Sequence, residues 1–114
     1  MSSPFTVKEI EARMVSGLIV TMSPGEIVEL KAILAGHFSF TSHALENILM
    51  KKPSVWLELR KGLRSDAATD RSWEATPDGI DEMKNRMQLK RIEKMISSVS
   101  STLKVKEDEA RHSY

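Results

Sequence analysis

Cysteine is absent from the 114 residues, which excludes a disulfide framework, a thiolate metal site and a thiol nucleophile. Aromatics are scarce: three Phe, two Trp and one Tyr leave few platforms on which a base could stack. No run of about eighteen apolar residues occurs, so no segment is expected to span a membrane. Met1–Phe5 lacks the basic and apolar regions of a secretory signal and reads as a loose terminus. These absences together point to a cytoplasmic protein.

Catalytic patterns are missing too. There is no glycine-rich phosphate loop, no nucleophile elbow and no Ser-His-Asp order. His37, His43 and Glu46 form the one metal-like set. His43-x-x-Glu46 puts two potential ligands on one helix face, but no second such pair completes a site. Asp66, Asp70, Glu74 and Asp78 recur every fourth residue without the glycine and closing glutamate of a calcium loop. The expectation is a protein with no catalytic residue, metal or cofactor, and not an enzyme.

What is present is an ordinary apolar share, 40%, with charge segregated along the chain. Net charge is −2 over residues 1–50, +4 over 51–64, −5 over 65–82, +6 over 83–106 and −2 over 107–114. Such alternation either neutralises itself within the fold or gathers two basic blocks for an anionic partner.

Start and stop signals predict an all-α chain: about four short helices followed by a long C-terminal helix. It would form one domain over 1–114, with a helical core at 6–64, a loop at 65–76 and the last helix at 77–110. Thr6 and Glu9 form a capping box for a first helix, Val7 to about Val20, with Gly17 as its weak point. Ser23-Pro24-Gly25-Glu26 is the clearest helix start, and Gly36 is the expected stop of that second helix. His37–Ser42 then reads as a connector whose two phenylalanines need burial. A third helix ends at Pro53, and a fourth, capped by Ser54, reaches Leu63. Ser65–Glu74 reads as a polar loop in which Trp73 is either an anchor or, of the two tryptophans, the exposed one. Thr76-Pro77 starts the last helix, favoured by Asp78, Asp81 and Glu82.

In that last helix Leu89, Ile92, Ile96, Val99 and Leu103 follow a three-four spacing, the seam of a helix packed on another helix. The seam serves either as a self-association interface or as ordinary core. Ile80, Met83 and Met87 fall on the opposite, basic side, which suggests that the buried face changes near Gln88. Arg86, Lys90, Lys94 and Lys104 line that side, with Ser97 and Ser101 between them.

The functional expectation is a non-enzymatic accessory protein. It would self-associate through its C-terminal helix and bind single-stranded nucleic acid by its backbone. The contact residues would be Lys51, Lys52, Arg60, Lys61, Arg64, Arg86, Lys90, Arg91, Lys94 and Lys104. The alternative is an adaptor or inhibitor that docks on a partner protein through a helix face, without nucleic acid. No membrane partner is expected.

Overall fold

Ser23 begins the longest helix. Its hydroxyl accepts the Glu26 N–H at 3.2 Å, and Glu26 Oε1 accepts the Ser23 N–H at 3.1 Å. That reciprocal pair holds the Glu26 carboxyl below the usual range, chiefly through the Ser23 backbone hydrogen bond. In the computed structural model, residues 5–112 are described; Met1–Pro4, and with them most of the expected loose terminus, lie outside, as do Ser113 and Tyr114. Among the described residues there are four α-helices and no strand. They are α1 (Val7–Val15), α2 (Pro24–Lys61), α3 (Asp66–Ala75) and α4 (Pro77–His112), with a short 3-10 helix at Leu18–Thr21. No helix among them is long and apolar enough to cross a membrane.

Three expectations are corrected. First, α1 stops at Val15 instead of Val20, because Gly17 takes a left-handed φ of 78° that L side chains rarely adopt. Second, the expected second, third and fourth helices are one helix of 38 residues, running through Gly36 and Pro53. Its inward positions keep one phase: Ile27, Leu30, Leu34, His37, Thr41, Leu45, Ile48 and Lys52 follow three-four spacing and are buried or half-buried. Continuous burial along 38 residues outweighs local costs of about 1 kcal/mol for a glycine and about 3 kcal/mol for a proline. Of the two phenylalanines in the supposed connector, Phe38 is half-buried and Phe40 is 77% exposed.

Third, the supposed loop at 65–76 is mostly helix. The Ser65 hydroxyl accepts the Ala68 N–H at 3.1 Å, Asp66 sits in the first turn, and Thr69 and Trp73 are buried one turn apart. The α3–α4 corner is tight. The Thr76 hydroxyl donates to the Trp73 carbonyl at 2.6 Å and accepts the Gly79 N–H at 3.0 Å. A Cβ on Gly79 would lie 2.7 Å from the Trp73 carbonyl carbon and 2.9 Å from Glu74 Cα.

The helices pack as two units. The described part of the first is residues 5–39 and 90–112; the second is Phe40–Leu89. Ile10, Ile27, Leu34, Ile92 and Val99 are fully enclosed in the core of the first unit, with Leu30, Met95, Ile19 and Val7 around them. In the second unit Leu45, Ile48, Thr41, Thr69 and Trp73 are the buried side chains.

Candidate nucleic-acid interface and helix faces

The ten basic residues singled out by the sequence divide between the units. Lys51, Lys52, Arg60, Lys61, Arg64 and Arg86 belong to the second, and Lys90, Arg91, Lys94 and Lys104 to the first. Five of the ten are held by the chain's own carboxylates. Lys52 Nζ lies 3.0 Å from Glu82, Arg86 2.9 Å from Glu82, Arg60 2.9 Å from Asp66, Lys61 2.9 Å from Glu58 and Arg91 3.2 Å from Glu11. Arg60 also donates to the Leu63 carbonyl at 2.6 Å, satisfying an acceptor just past the end of α2. Four of these five pairs join blocks of opposite sign; Lys61–Glu58 lies within one.

Glu82 is the most constrained acid. Its carboxylate, only 12% exposed, accepts from Arg86, from Lys52 and from the Trp73 indole N–H at 2.9 Å. Burial alone would raise its pKa, but the three hydrogen bonds more than offset this and bring it down to about 2. The Lys52 ammonium also sits 5.4 Å from the Trp73 ring centroid. Trp73 is 2% exposed, a packed member of α3, which agrees with an anchoring role and not with an exposed stacking platform. Trp56 is half-buried and donates to Asp70 at 2.8 Å.

The other five cations, Lys51, Arg64, Lys90, Lys94 and Lys104, are exposed and have no ion pair among the described residues. At about 100° per residue Lys90, Lys94 and Lys104 fall within one face of α4, spread over roughly 21 Å. Ser97 and Ser101 on that face are exposed as well, with Glu93 at its edge. Thr102, by contrast, turns its hydroxyl to the Ser98 carbonyl at 3.0 Å.

The apolar seam assigned to self-association is occupied from within. Ile92 and Val99 are 0% exposed in the first unit's core, and Ile96 and Leu103 pack against it; Leu89 is half-buried. Core packing, the other reading of the spacing, is what the structure has, and an interface built on Ile92 and Val99 would require opening that core. Nor does α4 change its buried face near Gln88. Glu82, Asn85, Leu89, Ile92, Ile96, Val99, Leu103 and Lys106 keep a single three-four seam, all buried or half-buried. The inward positions of the first turns are the polar Glu82, held by three partners, and Asn85, while Ile80, Met83 and Met87 point outward at 38%, 57% and 55% exposure.

His37 Nε2 lies 2.8 Å from the Phe5 carbonyl oxygen, and His43 lies 3.9 Å from Glu46. Among the described residues no three His, Cys, Asp or Glu side chains gather as metal ligands. Comparison with protein-family models, with curated proteins and with solved structures finds no match for this chain.

Proposed function

We propose that the protein is a non-enzymatic accessory factor that binds single-stranded nucleic acid by its backbone, through the outer face of α4 in the first unit. The observation that carries this reading is the set Lys90, Lys94 and Lys104. They share one exposed face, none has a carboxylate partner among the described residues, and Ser97 and Ser101 stand between them as hydrogen-bond donors. The five paired cations contribute less, because their charge is already compensated. The exposed pairs Lys61–Glu58 and Arg91–Glu11 can still be exchanged for phosphate, since such pairs are worth about 0–1 kcal/mol.

Three lysine–phosphate contacts on a single strand give a slope near −2 in log affinity against log salt, taking about −0.7 per phosphate. Anisotropy of a labelled oligonucleotide across a salt series measures it. Combining Lys90→Glu with Lys94→Glu is expected to abolish binding while leaving far-UV helicity unchanged. Absence of binding at low salt, or equal binding by the double variant, refutes the proposal.

A second reading is docking on a partner protein without nucleic acid. It is favoured by the exposed apolar side chains of the second unit, Phe40, Met50, Leu57, Ile80, Met83 and Met87.

A further inference from the structure

Arg91 belongs to the same unit as Lys90, Lys94 and Lys104 and stands beside their face. It lies three residues before Lys94, about 60° round the helix, a spacing at which side chains are neighbours. Of the four candidate cations in that unit, it alone holds a carboxylate among the described residues. Its Nε is 3.2 Å from Glu11 of α1, with the two side chains 47% and 43% exposed. The acid is kept there by its own helix. Ile10 is 0% exposed and Val7 is buried, so α1 is docked in the unit's core and Glu11, the next residue after Ile10, is presented to α4.

We propose that Glu11 is a built-in competitor for the basic face of α4: it occupies Arg91 as a phosphate would, and so limits that face to three cations. The inference rests on the reading that this face binds a nucleic-acid backbone. A carboxylate and a phosphate present the same chemistry to a guanidinium, anionic oxygens for its N–H donors. With Glu11 in place, a strand must displace it before gaining a fourth contact. The competition is graded and not locked. An exposed ion pair is weak and is screened by salt, so the pair sets the affinity of the face without closing it. Lys90, Lys94 and Lys104 keep their charge throughout, and Glu11 governs only whether Arg91 joins them.

Anisotropy of a labelled oligonucleotide over a salt series, with wild type, Glu11→Gln, Arg91→Gln and the double variant, tests it. Glu11→Gln keeps the size of the side chain and removes its charge. It is expected to tighten binding at low salt by up to about fivefold, the ceiling set by one exposed ion pair. It should also steepen the salt slope by about 0.7, one further phosphate contact. Arg91→Gln alone should leave the slope unchanged, since wild type makes no contact there. In the Arg91→Gln background, Glu11→Gln should add nothing to the slope, because the cation it uncovers is gone. That cycle separates a freed Arg91 from the loss of one negative charge. Binding by wild type, with Glu11→Gln the same in affinity and slope, overturns the inference and leaves the basic face standing. So does a steepening by Glu11→Gln that persists without Arg91. Absence of binding by wild type and by Glu11→Gln alike overturns the inference and the underlying reading together.

Discussion

Replacing Glu82 by glutamine removes the charge that Lys52, Arg86 and Trp73 converge on, while leaving an oxygen for the indole N–H. The carboxyl titrates at about 2 in the folded chain, against 4.5 as its reference value. Two and a half units correspond to about 3 kcal/mol favouring the ionised form in the folded state. Because the folded value is depressed, this stability is present above the unfolded pKa and is lost as pH falls towards the folded one. About 2 kcal/mol of it should be gone by about pH 3. Glu82→Gln imitates the protonated acid, so at neutral pH it should cost roughly 3 kcal/mol, or about 10 °C in Tm for a domain of this size. Urea unfolding followed by circular dichroism and by the fluorescence of Trp56 and Trp73, at several pH values, gives both numbers. The decisive quantity is the difference between the proteins: wild type should lose stability more steeply than the variant as the solution is acidified. Parallel pH profiles, or a variant within about 1 kcal/mol of wild type at neutral pH, would refute the account of Glu82 as a buried charge clamp.

Two further substitutions examine the helices. Pro53→Ala should stabilise the protein by about 2 kcal/mol, since an interior proline costs about 3 kcal/mol and part of the gain is offset by a more flexible unfolded chain. An unchanged or lower urea midpoint would show that α2 draws no cost from Pro53. Gly79→Ala should destabilise by about 3 kcal/mol or prevent folding, because the added Cβ meets the backbone of Trp73 and Glu74, which cannot rotate away. A Tm within a degree or two of wild type would mean that the α3–α4 corner opens without cost.

The helix starts were legible because their chemistry is local. Thr6, Ser23 and Thr76 each signal a cap in sequence, and each accepts a backbone N–H in the structure. The stops were less legible. Gly36 and Pro53 carry a local penalty, but the seam of α2 keeps phase through both, and burial is a property of the whole helix. The segment 65–75 looked like a loop from its mean polarity. Its two informative residues, Thr69 and Trp73, stand one turn apart and are the buried ones.

The faces of α4 show the same limit. Reading apolar as inward is correct from Leu89 to Leu103 and inverted at Ile80, Met83 and Met87. There the inward place belongs to Glu82, whose three partners come from positions 52, 73 and 86. A signal was available: extending the three-four seam backwards from Leu89 reaches Asn85 and Glu82. Of the candidate site, the cations of α4 were legible by periodicity. Which cations would already hold a carboxylate was not, because Glu11 and Asp66 reach their partners only through tertiary packing.

The first unit is assembled from the two ends of the described chain, 5–39 and 90–112, while the second is one uninterrupted stretch. Ribosomal synthesis therefore meets the two differently. Phe40–Leu89 is contiguous, so all of its internal contacts become available once that stretch has emerged. Ile10, Ile27, Leu30 and Leu34 are made first, yet they stay uncovered until Ile92, Met95 and Val99 have left the ribosome. During that interval the nascent chain presents an open apolar face, the state in which chains aggregate or recruit chaperones. The order in which the residues are made thus opposes the order in which the first unit needs them.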